Sequence, residues 1–158
     1  MVYSQFYMDT IYKKKVDAYV EGLAHKKIKE YHFEKFDGKK IIKYEYEKLG
    51  DEIIRIQRKW QMKYGQSIDT YLQYFYLEKG KRVFAEDAIN FQNKTNTLDV
   101  GGWNVRFWIK NNKVVYITSL GHGKTEDSDW DYEKELKENF EFMLKTVKKE
   151  DAKKRRLK

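Results

Sequence analysis

Three segments of the chain each carry their own reverse turn. Lys27–Lys48 folds back around Phe36-Asp37-Gly38-Lys39, Ile68–Asn93 around Lys79-Gly80-Lys81, and Trp103–Leu120 around Asn111-Asn112. Gly, Asn and Asp tolerate the positive φ that tight hairpin turns demand, and the flanking runs are rich in Tyr, Phe, Val, Ile and Trp. A fourth connection, Leu49-Gly50-Asp51, joins two of the strands. Hairpins chained in this way predict an α+β fold: an antiparallel meander of about six to seven strands with an N-terminal and a C-terminal helix packed on it.

Strand periodicity supports that reading. Ile42, Tyr44 and Tyr46 alternate with Lys43, Glu45 and Glu47; Ile54, Ile56, Trp60, Met62 and Tyr64 alternate with Arg55, Gln57, Lys59, Gln61 and Lys63. Such alternation belongs to a sheet covered on one side and wet on the other. Arg58 interrupts the apolar set, which predicts a bulge or a rim position. In the later strands both faces are apolar, so those strands are central or one face meets something else.

Asp9 is placed to cap a first helix over Thr10–Ala24, whose apolar stripe is Ile11, Val16, Tyr19, Val20 and Leu23. A last helix is predicted from Asp131 to Lys149 on the stripe Leu136, Phe140, Met143 or Leu144, and Val147. Acids at its start and lysines at its end complement the helix dipole. The domain is predicted to span 1–150, followed by a basic, frayed tail over 151–158.

The net charge of +8 is unevenly placed. Lys145–Lys158 carries a net +6, Glu126–Glu141 a net −6, and the preceding body a net +8. Blocks of this kind bear on solubility and encounter rather than on fold. The chain has 158 residues with 13 Tyr, 9 Phe and 4 Trp, enough aromatic area to build a core despite an apolar share of 41%. The absence of cysteine excludes disulfide frameworks, thiol nucleophiles and Cys-ligated zinc. No run approaches the length of a membrane span, and Met1-Val2-Tyr3-Ser4-Gln5 has no basic start leading into an apolar stretch, so a soluble chain is expected with its compartment open.

The run Gly121-His122-Gly123-Lys124-Thr125-Glu126-Asp127-Ser128-Asp129-Trp130 is where chemistry would sit. Gly123-Lys124-Thr125 ends like a phosphate-binding loop, but Thr118 stands where that motif needs Gly, and the acids that follow would repel a nucleotide. Asp127, Asp129 and Asp131, with Glu138, match oxygen-ligand positions of a calcium loop, although Tyr132 replaces its turn glycine. His122, Lys124 and Glu126 offer an acid–base set for catalysis. Against all three stands a structural reading, in which Gly121 and Gly123 turn the chain, His122 and Trp130 pin the loop, and the acids cap the helix. His25 and His32 have no matching partners and read as surface or ordinary packing residues.

Tyr71, Phe75, Arg106 and Trp108 are expected together on the face opposite the cleaner apolar set. Aromatic rings beside an arginine suit stacking on sugars or bases. The competing expectation is that a helix covers that face. The layout of helix, hairpin-rich sheet and acid-capped terminal helix, with the Gly-His-Gly-Lys-Thr-Glu run, is similar to small bacterial exported or lipoprotein-type domains of unknown function. That resemblance transfers no functional residue, and no cofactor is expected. The expected function is a non-enzymatic binding or interaction domain for a protein or glycan partner, using a sheet face and the Gly121–Trp130 loop. The alternatives are a small enzyme centred on His122 and Glu126, and nucleic-acid binding through the basic body and tail.

Overall fold

The computed structural model describes residues 8–157 other than 97 and 99. A helix α1 (Thr10–Leu23) is followed by strands β1 (Lys29–Asp37), β2 (Lys40–Leu49), β3 (Glu52–Tyr64), β4 (Ser67–Glu78), β5 (Lys81–Asn93), β6 (Val100–Lys110) and β7 (Lys113–Gly121). A short 3-10 turn over Lys124–Glu126 leads into α2 (Tyr132–Arg156). The seven strands form one sheet in sequence order, each antiparallel to its neighbour. This is the meander expected from the turns.

Turn chemistry accounts for the hairpins. Lys79 and Gly80 have φ of 52° and 77°, and Asn111 and Asn112 have 51° and 63°, the pair of positive values that matches the twist of the flanking strands. Register slips by one residue between Glu47 and Lys48, Tyr76 and Leu77, and Trp108 and Ile109. None of these slips falls at Arg58. Arg58 keeps the apolar-face register and instead donates to Gln73 Oε1 (2.8 Å) and Asn139 Oδ1 (3.1 Å), so its charge is satisfied inward rather than at a bulge.

The helices cover opposite faces. Across β3 to β7, Ile56, Phe75, Ala85, Phe107 and Ile117 lie side by side on the face that α2 buries. At 25 residues α2 is about 37 Å long, enough to cross six inter-strand gaps of about 4.8 Å each. It does cross them: Glu133 accepts from the Val114 N–H in β7, and Lys154 sits over the Tyr31 ring in β1. Leu136, Met143 and Val147 point into the core, each contributing about 1.5–3 kcal/mol by burial.

The helix outruns its expected end. It continues past Lys149 to Arg156, so the tail predicted as frayed is ordered helix for most of its length. The reason is Asp151, which accepts from the Lys48 ammonium (3.0 Å) and the Tyr46 hydroxyl (3.1 Å) and ties the last turns to β2.

The other face carries α1. Asp9 caps it, accepting from the Tyr12 N–H at 2.9 Å, and Val16 packs on Val83, Phe84 and Trp108. Tyr19 donates its hydroxyl to the Leu77 carbonyl at 2.6 Å, stitching helix to sheet. With only 14 residues, α1 is too short to cross the whole sheet, and the polar face of β1–β3 stays outside it. Among the described residues no helix is long and apolar enough to cross a membrane.

Candidate functional site

Where α1 stops short, a pocket of about 450 Å³ opens between helix and sheet. Two cross-strand rows build its floor. Tyr76, Phe84, Trp108 and Tyr116 are directly paired across β4–β7, and Tyr74, Glu86, Arg106 and Thr118 form the next row. Side chains directly opposite in antiparallel strands share a face, so both rows point at α1. Phe84 meets Trp108 edge-on at 5.1 Å, and Trp108 meets Tyr116 the same way at 5.2 Å.

Polar groups sit at fixed places around these rings. The Trp108 indole N–H donates to Asp17 Oδ1 at 2.8 Å, and Lys13 donates to the second oxygen of the same carboxylate at 2.7 Å. The Lys13 ammonium lies 4.7 Å from the centre of the Trp108 ring, a cation–π contact. Glu86, buried, accepts from Tyr74, from Asn104 (3.3 Å) and from Arg106 Nε (3.2 Å). Burial, then the Glu86 hydrogen bond and charge, push the Tyr74 phenol well above its usual range, so it stays protonated and donating. The Arg106 side chain is 51% exposed and is held through Nε, which leaves a positioned guanidinium at the pocket. The Asp17 and Glu86 carboxylates are engaged, and the pocket combines aromatic walls with the Arg106 guanidinium and, from α1, the exposed Glu21 carboxylate.

The four residues expected on one face are divided between two. Arg106 and Trp108 line this pocket, whereas Phe75 is 2% exposed in the α2 core and Tyr71 lies on that same α2 face. The physical reason is register: Phe75 pairs through Ala85 with Phe107, one residue away from Trp108. Tyr71 stacks on Trp60 at 5.2 Å, with the Lys40 ammonium 4.9 Å from the Trp60 ring centre. These rings spend their faces on each other. Lys13, Asp17, Glu21, Tyr74 and Phe84 also line the pocket and escaped the sequence reading, because nothing in the chain's pattern brings residues 13 and 17 to β6.

The loop after β7 is not part of this pocket. His122 and Glu126 are in contact, but their side chains are 92% and 59% exposed, so the pair sits in open solvent. Lys124 turns away from both, to Glu135 Oε1 (2.6 Å) and Asp87 Oδ2 (3.6 Å). The acid–base set expected from spacing is therefore not assembled as three. The Trp103 indole donates to Thr125 Oγ1 at 3.0 Å, and the Trp130 indole donates to Glu135, so the loop is pinned against the α2 face.

The calcium-loop pattern is likewise taken up by the backbone. Asp131 Oδ1 caps α2 by accepting from the Lys134 N–H (3.1 Å), and Asp127 Oδ1 accepts from the Asp129 N–H (2.9 Å). Asp127, Asp129 and Asp131 do not converge on one point. Among the described residues the group that brings three metal-ligand atoms within 4.8 Å of one another is Glu30, His32 and Glu45, on the outer face of β1 and β2. Burial and a hydrogen bond with Glu30 raise the Glu45 carboxyl above its usual range, while Arg55 at 3.1 Å already neutralises it. Exposed groups of this kind are common without an ion.

A second polar cluster lies under α2. Arg58, Gln73 and Asp87 form one cross-strand row, closed over by Asn139, Glu135 and Lys124. The space left there is about 10 Å³, room for one water and no substrate. Burial raises the Asp87 carboxyl above its usual range, and the Lys124 charge only partly offsets this. A folded carboxyl with a raised pKa holds a proton the unfolded chain releases, so its contribution to stability falls as pH rises through that window. Asp87→Asn is expected to flatten that fall and to raise Tm at pH 7 relative to the parent. Melting curves at pH 4 and pH 7 check it; a lower Tm for the variant at pH 7 refutes it.

Comparison of the chain with protein-family models, curated proteins and solved structures finds no match. The fold and the pocket define a class, an antiparallel meander clasped by one helix on each face with an aromatic pocket under the shorter one.

Proposed function

We propose that the protein is a non-enzymatic binding domain that takes a small planar anion in the pocket between α1 and the sheet. The observation that carries this reading is Arg106, a half-exposed guanidinium held by buried Glu86 beside the Trp108, Phe84 and Tyr74 rings. A volume of about 450 Å³ is in the range that small-molecule sites occupy. Rings on the floor suit a flat ligand body, and a fixed guanidinium suits a carboxylate or phosphate at its edge.

Titration with benzoate and indole-3-acetate, followed by ligand-observed NMR, tests the proposal, with benzamide as the neutral control. Trp108→Ala is expected to weaken all three. Arg106→Gln is expected to weaken the two anions roughly tenfold while leaving benzamide nearly unchanged, because a hydrogen bond to a charged group is worth about 1.5–3 kcal/mol. Absence of saturable binding at millimolar concentration, or binding that ignores both substitutions, ends the reading.

A further inference from the structure

At the opposite corner of the molecule the last turns of α2 overhang the ends of β1 and β2 and the turns that begin β3 and β5. Two cavities meet there. One, of about 390 Å³, is bounded by Lys27, Lys29, Tyr31, Lys48 and Arg155. The other, of about 480 Å³, is bounded by Ile53, Leu77, Leu144 and Ala152, with Lys79 and Lys148 at its rim. Arg155 and Asp51 line both, so the two are halves of one trough.

The halves differ in chemistry. In the first, Asp151 is shared between Lys48 (3.0 Å) and Arg155 (3.3 Å), one carboxylate against two cations. Lys27 and Lys29 have no ion-pair partner among the described residues, so the excess there is positive even with Asp51 counted. Dipole complementarity at the helix end accounts for Arg155, but it does not account for Lys29 on β1 and Lys27 in the segment that leads into it. The second half is aliphatic along Ile53, Leu77, Leu144 and Ala152, with Glu52 as well as Lys79 and Lys148 at its rim, and its floor residue Leu77 is 1% exposed. No aromatic ring lines it.

We infer that this trough binds a single-chain amphiphile, with an anionic head among Lys27, Lys29, Lys48 and Arg155 and an aliphatic body along Ile53, Leu77 and Leu144. A nucleotide fits less well: the one ring nearby, Tyr31, already stacks on Tyr46 at 4.9 Å and carries the Lys154 ammonium 4.9 Å from its centre. The trough shares no residue with the pocket under α1, so either site stands without the other.

Isothermal titration with three probes below their micellar concentrations tests the inference: dodecyl phosphate, inorganic phosphate and the neutral dodecyl maltoside. Dodecyl phosphate is expected to bind at least tenfold more tightly than either of the others, since burial of even a few methylenes supplies that factor. The Lys27→Ala/Lys29→Ala double variant is expected to lose most of the preference for phosphate over maltoside. Ala152→Glu, at an exposed helix position, is expected to weaken both amphiphiles by filling the aliphatic half. Circular dichroism confirms that each variant keeps the parent fold. Equal affinity for dodecyl phosphate and inorganic phosphate overturns the inference, as does indifference to both variants. Tighter binding of a single-stranded oligonucleotide than of dodecyl phosphate also overturns it, by making the corner a polyanion surface.

Discussion

Replacing Asp151 with alanine is expected to lower Tm by about 6–12 °C, the shift that roughly 3 kcal/mol brings in a chain of this length. The Lys48 and Asp151 side chains are 8% and 10% exposed, and the Tyr46 hydroxyl shares the same carboxylate. Removing the carboxylate leaves a buried ammonium and a buried phenol without it, and that loss costs far more than the pair contributes over an apolar replacement. A Lys48→Met/Asp151→Leu double variant is therefore expected to recover most of the loss. Burial raises the Asp151 carboxyl, but hydrogen bonds from Lys48 and Tyr46 and the charges of Lys48 and Arg155 outweigh it and hold the pKa below the ordinary value. A depressed carboxyl stabilises above its unfolded pKa of about 3.9 and stops doing so as pH falls through the folded value. The difference between parent and Asp151→Ala is thus expected to shrink in acid. A single variant melting within a degree of the parent at pH 7 would remove the claim that this pair anchors the helix.

Gly121→Ala is expected to cost about 3 kcal/mol or more and to lower Tm by about 6 °C at least. Gly121 ends β7 at φ 83°, a conformation that L side chains rarely adopt. A Cβ there would also lie 2.2 Å from the Gly102 carbonyl oxygen and 3.1 Å from the Trp103 Cα, and backbone cannot rotate out of the way. Both penalties act at once, at the point where the chain leaves the sheet to pin Thr125 and Trp130 against the core. Gly22→Ala is the matched control. Nothing lies within 4 Å of that position in α1, so the same added methyl is expected to stabilise by about 0.5–1 kcal/mol. Chemical denaturation of the two variants measures both; a Gly121→Ala protein as stable as the parent would mean the β6–β7 end relaxes freely.

The turns were legible because each needs residues that few other contexts favour, and Asn111-Asn112 or Lys79-Gly80 between β-rich runs has little else to become. The α2 stripe was legible for the same reason: Leu136, Met143 and Val147 recur at helical spacing. The faces of the later strands were not. Period-2 alternation says that Tyr71 and Phe75 share a side, and that Arg106 and Trp108 share a side. It does not say whether those sides coincide, since that depends on turn lengths and on the slips at Tyr76/Leu77 and Trp108/Ile109. With a helix on each face, apolar residues on both sides of β5 and β6 carry no direction. Asp87 was invisible because it sits in the unbroken buried run Arg82–Ala88, where neither neighbour marks it as polar-facing. Lys124 drew notice for its neighbours in sequence, whereas its partners Asp87 and Glu135 come from a central strand and from α2.

Since every strand lies next to the strand before it, the whole sheet can assemble by zipping successive hairpins, each closing a short loop at small entropic cost. The Lys48–Asp151 contact is different, because it joins positions 103 apart. Clasping the layer with its terminal helix therefore closes a far longer loop than any hairpin does, and is expected to follow the zipping of the sheet.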